Sequence, residues 1–292
     1  MDIVIKNGTT TAIIKSYGAE LASFKRVDGV ELLWQGDPEY WSGQAPILFP
    51  IVGALRNGKT VIEDQWYEIS KHGFARNSEF QVVEQTEDSV TLVLESTEET
   101  RKMYPFKFRL SVIYTVGNCA LETKFIVKNI GDTEMPFVIG GHPAYNIPIE
   151  SGEKFEEYSI VFEQEEDTSC PYVDMNMAML DDSKVAFELK QKKRIPLVHD
   201  LFKQDALIFD ELKSKTVSLI HNKTGKGIQM NIQEFPMLGI WSSVKEAPYV
   251  ALEPWVGCAS RFCESDQFVE KKNMQFLQCG KGMTYTFTTK YF

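Results

Sequence analysis

Basic residues are in short supply in this 292-residue chain: 31 lysines and arginines stand against 41 aspartates and glutamates, a formal net charge of −10. A nucleic-acid binder normally shows a basic excess or a basic stripe, so that class of partner is disfavoured. The densest basic run, Lys190 to Arg194 (KQKKR), is expected as a solvated loop. Cysteine is sparse and unpatterned. Cys119, Cys170, Cys258, Cys263 and Cys279 are odd in number and form no CxxC pair. That leaves no zinc or disulfide framework and fits reduced thiols in a cytoplasmic protein. No apolar run approaches the roughly 20 residues that span a bilayer. The opening residues, MDIVIKNGTTTAIIK, lack the charged-then-apolar pattern of a secretory signal. A cytoplasmic location with no membrane partner is therefore expected, and the triplets Asn7-Gly8-Thr9 and Asn222-Lys223-Thr224 read as turns rather than glycosylation sites. Phosphate-binding GxGxxG and GxxxxGK[ST] loops are missing, as is the GxSxG elbow, which argues against nucleotide use and against a serine nucleophile.

What the chain does have is period-two alternation. Hydrophobic residues make up 43% and charged residues 25%, ordinary for a globular protein with a sizeable core. Strands are expected at Asp2 to Lys6, Thr10 to Lys15, Glu31 to Trp34, Glu79 to Glu84, Ser89 to Glu95, Lys107 to Val116, Ala120 to Asn129 and Met135 to Ile139. Further strands are expected at Tyr158 to Phe162, Ala206 to Phe209, Thr216 to Ile220, Gly227 to Ile232, Met237 to Ser242, Tyr249 to Glu253 and Met283 to Tyr291. These segments are rich in Val, Ile, Phe, Tyr and Thr and are bounded by Gly, Asn, Asp and Pro. Hairpin turns fit Gly117-Asn118 and Thr224 to Gly227. Helix is confined to short stretches at Glu98 to Tyr104 and Leu197 to Gln204. So many strands without alternating helices imply an all-β antiparallel sandwich or barrel, and with no repeat or linker the chain reads as one domain over residues 1–292.

Histidine is the scarcest chemical resource, with four in the chain. His72 lies in KHGFAR (Lys71 to Arg76) and His142 in IGGHPAYNIP (Ile139 to Pro148), while ALEPWVG (Ala251 to Gly257) brings Glu253 next to Pro254 and Trp255. Two imidazoles and a carboxylate on separate strands can exchange protons near neutral pH. If Lys71 to Arg76 is extended, His72, Phe74 and Arg76 share a face. The pair Gly140-Gly141 would let the backbone approach a ligand closely. Trp34, Trp41, Phe74, Trp241 and Trp255 are candidates to stack on the apolar face of a sugar. His199 and His221, in LVHDL and LIHNKTG, read as structural. His72, His142 and Glu253 could in principle bind zinc or iron, but their spacing gives no specific support, so no metal and no other cofactor is expected.

Six segments together resemble the aldose 1-epimerase (galactose mutarotase-like) superfamily, most closely its LacX-like branch and more distantly the hexose-6-phosphate mutarotases. They are FPIVGALRNG (Phe49 to Gly58), HGFARNSEF (His72 to Phe80), YPFKFRLSVIYTV (Tyr104 to Val116), GGHPAYNIP (Gly140 to Pro148), LGIWSS (Leu238 to Ser243) and LEPWVG (Leu252 to Gly257). The resemblance implies a β-supersandwich with a sugar cleft on a concave sheet face, and an isomerase that interconverts the α and β anomers of a hexose without a cofactor. It implies His142 as the acid that protonates the ring oxygen and Glu253 as the base at the C1 hydroxyl. His72 and Arg56 would orient ring hydroxyls, and Asp205 would contact the sugar, with Asp210 as its rival. Arg56 and Arg76 together could hold a phosphate. The chain departs from the galactose mutarotases, which usually carry NHTYFNL-like and LETQ-like stretches where it has GGHPAYNIP and LEPW. A preference for galactose is therefore not carried over. A free hexose is the first expectation and a hexose 6-phosphate the second. A non-catalytic carbohydrate-binding protein on the same scaffold is the third, and a monomer or homodimer is expected.

Overall fold

The computed structural model describes all 292 residues, Met1 to Phe292. Its strands arise where the alternation is cleanest. In Phe108–Gly117 the side chains of Phe108, Leu110, Val112, Tyr114 and Val116 are buried and those between them are not, as a half-buried antiparallel strand requires. Ser89–Glu95 and Ala120–Asn129 flank it, and the three lie toward one end of a nine-stranded antiparallel sheet, with Gln81–Gln85 at that edge. That sheet runs on through Gly282–Tyr291, Gly227–Asn231 and Thr216–His221 to a long outer hairpin. A second, smaller sheet holds Leu207–Asp210, Met237–Trp241, Tyr249–Trp255, Gly140–Gly141 and Ile47–Leu48, with Ala144–Asn146 also paired to Tyr249–Trp255. All seven residues of Tyr249–Trp255 are buried, because this strand has packed side chains on both faces. One core cluster of 73 buried residues reaches from Ile3 to Phe287. This is an all-β antiparallel sandwich, as the alternation implied. No helix is long and apolar enough to cross a membrane.

Several local expectations need correction. Tyr158 to Phe162 is only the start of Tyr158–Asp174, which pairs with Met179–Pro196 in a hairpin of 17 and 18 residues. Four register shifts interrupt its ladder, so the side chains do not keep the strict alternation by which a strand is read. The KQKKR run is not a loop: it lies on Met179–Pro196, the sheet's outermost strand, with every residue exposed. Charge on an open edge discourages pairing with another chain. Glu31 to Trp34 makes only isolated bridges, because the Glu31 carboxylate accepts from the backbone N–H groups of Phe24 and Leu33 at 2.8 and 3.0 Å. The stretch Leu197 to Gln204 reduces to a 3-10 turn at His199–Phe202. The helix Glu98–Met103 is present, capped by Thr97 and Thr100 reciprocally; it stops as Tyr104 turns extended before Pro105.

Candidate active site

The smaller sheet brings His142 and Glu253 together. Gly140 lies opposite Trp255 and Ala144 opposite Ala251, so the same register places His142 opposite Glu253. Cross-strand neighbours of this kind bring side chains into contact on one face. His142 Nε2 lies 3.2 Å from Glu253 Oε2, and both residues are buried. The Leu252 N–H donates to Pro143 O at 3.1 Å, holding the two backbones beside each other, and the His142 N–H donates to Pro46 O at 3.1 Å on the other side.

His72 reaches the same place by another route. It does not lie on an extended face with Phe74 and Arg76: its φ is 68° and that of Gly73 is 75°, two successive left-handed residues that turn the chain. Only glycine fits at position 73, where a Cβ would sit 2.1 Å from Phe49 O. Phe74 accordingly packs into the core against Phe49 and Phe108. The His72 backbone N–H donates to Gly53 O at 2.8 Å, and the Gly53 N–H donates back to His72 Nδ1 at 3.1 Å. That bond puts the ring proton on Nε2, and the ring stands edge-on to His142, centroids 5.8 Å apart.

These residues form one wall of a cavity that opens to solvent. His72, His142, Glu253, Lys71 and Asp205 make this wall polar. Val173, Ala178 and Leu180 from the tip of the long hairpin, with Ala206, Ile208 and Ala259, supply the cavity's apolar lining. The tip is pinned there by bonds from Leu180 N–H to Ser260 O and from Phe262 N–H to Leu180 O, each 2.9 Å. Trp241 and Trp255 complete the lining. The glycine pair makes room for protein rather than ligand: a Cβ on Gly140 would meet the Trp255 ring at 2.6 Å, and one on Gly141 the Phe287 ring at 3.0 Å.

The other expected site residues divide. Asp205 lines the cavity, whereas Asp210 is ion-paired to Lys272 and Arg261. The Arg56 guanidinium is already occupied. It donates to Asp266 Oδ1 at 3.3 Å and to the carbonyls of Arg261, Phe262 and Glu264 at 3.1, 3.2 and 2.8 Å. It fastens a loop and does not line the cavity. Arg76 does not line it either, but its positive charge reaches His72, His142 and Glu253. Trp34 and Trp41 lie at one side, in an aromatic cluster with Tyr249. Lys71 and the hairpin tip were not singled out in the sequence. Lys71 carried a signal, its place beside His72; the tip carried none.

Burial works against charge throughout the site. It pushes His142 down to about 3 and His72 well below the usual histidine range, in each case helped by positive neighbours. It raises Glu253 well above the usual carboxylate range, with the negative charge of Asp205 adding to the effect and Lys71 and Arg76 opposing it. The 3.2 Å contact favours the opposite arrangement, imidazolium beside carboxylate. Both descriptions leave the pair neutral overall, and they differ only in which member holds the mobile proton; the pair titrates as a unit. No group of three or more His, Cys, Asp or Glu side chains is arranged to hold a metal ion, so His72, His142 and Glu253 do not form a ligand set.

The family model for aldose 1-epimerase matches residues 1–291. The chain belongs to the aldose 1-epimerase family. As a member it is an isomerase of the epimerase type. It is 40% identical over 278 residues to the plasmid-encoded protein LacX of Lactococcus lactis subsp. lactis, covering 93% of each chain. Among solved structures, a galactose mutarotase related enzyme from Lactobacillus acidophilus superposes with a TM-score of 0.94 at 37% identity, over 100% of this chain and 97% of the other. A galactose mutarotase-like protein from Lactobacillus casei gives 0.91 at 28% identity, with both chains covered completely.

Proposed function

We propose that this epimerase interconverts the α and β anomers of a hexose at the cavity between the hairpin tip and the smaller sheet, with His142 and Glu253 as its proton-transfer pair. The observation that carries the reading is their opposition across Tyr249–Trp255 at 3.2 Å, buried, at the wall of a cavity open to solvent. Mutarotation needs two coordinated proton transfers. In ring opening, His142 as imidazolium gives a proton to the ring oxygen while the Glu253 carboxylate takes one from the C1 hydroxyl. The C1–O5 bond breaks and the C1 carbonyl forms. The pair is then neutral imidazole and carboxylic acid, the form that burial favours. Rotation about C1–C2 presents the other face of the aldehyde. Reclosure returns both protons along the same paths, so either anomer can enter. A positioned acid and base each contribute roughly 10²- to 10⁴-fold, ample for a reaction that already proceeds in water. In this reading His72 and Asp205, which line the cavity, orient hydroxyls, and its apolar lining meets the carbon skeleton.

A second reading, a hexose 6-phosphate, is favoured by Lys71 and Arg76. Neither forms a salt bridge in a protein of net charge −10, and both project positive potential into the site. Two unpartnered cations beside a sugar cleft suit an anionic substituent. Following anomer exchange of freshly dissolved α-D-glucose, α-D-galactose and their 6-phosphates by proton NMR tests both readings, with His142→Ala as the control. Acceleration of any of the four ranks the substrates. No acceleration above buffer for all four points instead to a sugar-binding protein without catalysis.

A further inference from the structure

A buried catalytic imidazole is usually oriented by a hydrogen bond to its second nitrogen. His142 lacks one: its Nδ1 is buried and has no partner. What surrounds the ring is aromatic. Trp41 lies face-on, with ring centroids 4.7 Å apart and planes at 25°. Trp241 stands edge-on at 5.6 Å and 89°.

The loop that delivers Trp41 is heavily tied. The Trp41 N–H donates to Asp37 O at 2.9 Å, and the Trp41 carbonyl accepts from Trp34 Nε1 at 2.8 Å. Gln44 Nε2 donates to the carbonyls of Ala22 and Trp34 at 2.8 and 3.0 Å, and Lys245 Nζ donates to Glu39 O at 2.8 Å. Gly43 is small because the indole folds over it, and a Cβ there would sit 2.5 Å from Trp41 Cζ2. So much local structure holding one half-buried indole flat on one imidazole is more than core filling requires.

We propose that Trp41 is a positioning residue for the acid, its indole fixing the plane of the His142 ring toward Glu253 and favouring the ring's protonated form through its π face. The proposal rests on the reading of His142 as the acid. An aromatic face attracts a cation placed over it, and this one acts among charges of both signs. Glu253 favours the imidazolium from Tyr249–Trp255, Lys71 and Arg76 disfavour it from the segment around His72, the His72 ring stands edge-on, and Asp205 acts through Glu253.

The test compares the full-length protein with Trp41→Leu, Trp41→Phe and Gly43→Ala, using whichever of the four sugars is turned over. In Trp41→Leu, kcat falls about tenfold with KM changed less than about threefold. The alkaline limb of kcat against pH moves down by about one pH unit. Trp41→Phe restores most of both effects, and Gly43→Ala, which displaces the indole without deleting it, reproduces part of them. Unchanged kcat and pH profile in a folded Trp41→Leu overturn the proposal, as does a Phe variant no better than Leu. If Trp41→Leu does not fold, Gly43→Ala with native kinetics overturns it. The NMR lines of the His142 carbon-bound protons supply a readout independent of turnover, since an indole stacked on the ring shifts them. Lines that stay put in Trp41→Leu sink the proposal even where the function stands; lines that move in a protein that accelerates no sugar keep the stacking and sink the function.

Discussion

His142 and His221 are both buried against carboxylates, yet their surroundings are opposite. His221 Nδ1 accepts from the backbone N–H groups of Lys223 and Thr224, both at 3.3 Å, and lies 3.3 Å from Thr224 Oγ1. Its Nε2 faces Glu153 and Glu157 at 3.8 and 3.9 Å. Its Nδ1 is fully engaged, and the ring organises the turn that follows Thr216–His221. His142 has one short contact, to Glu253, an unpartnered Nδ1 and aromatic walls. Satisfaction marks the first as scaffold. Leaving polar groups unsatisfied in a low-dielectric cavity costs stability, and a site retains such groups where a substrate is to partner them.

The largest expected effect breaks the comparison outright. Glu253→Gln and His142→Ala each lower anomer exchange by about 10²- to 10⁴-fold, read by polarimetry, while the far-UV dichroism stays native. A variant of either kind that keeps full activity removes the distinction between the two histidines. Next in size, Arg56→Ala costs about 1.5–3 kcal/mol of stability, since four charge-assisted bonds are lost, and leaves KM for a free hexose unchanged. A large rise in KM with unaltered urea unfolding would return Arg56 to the sugar. His221→Leu is milder, about 1–2 kcal/mol in urea unfolding from orphaned N–H groups, with kcat within about twofold of native; an activity collapse there would unseat its reading as scaffold.

The smallest effect concerns pH. Glu253 is raised in the fold, so above its unfolded value of 4.5 the folded state binds more protons and stability falls as pH rises. His142 is depressed to about 3 from 6.5, so stability also falls as pH drops through that window. Glu253→Gln removes the first dependence and keeps the second. Its stability relative to the native protein therefore grows as pH climbs past the carboxylate range, read from urea midpoints between pH 5 and 9. A constant difference across that range shows that Glu253 stays ionised in the empty site.

Much of the scaffold was legible because its signal is local. Ser89–Glu95 and Ala120–Asn129 match the alternating segments end to end, and Glu98–Met103 follows its cap and its stop at Pro105. The long hairpin was not legible beyond Phe162, because bulges and exposed charge erase alternation in the segment that walls the cavity. His72 and Phe74 were assigned to one face by strand logic, and a left-handed turn sent them apart.

The sequence by itself determined most of the strands, their buried faces and the short motifs that carry His72, His142 and Glu253, because periodicity and turn chemistry act over a few residues. Only the tertiary structure decided who meets whom. Register across Tyr249–Trp255 set His142 against Glu253. A loop 210 residues away claimed the Arg56 guanidinium, and packing laid Trp41 on His142. Those outcomes depend on contacts between segments distant in the chain, and a contact of that kind leaves no periodic trace in the residues on either side of it.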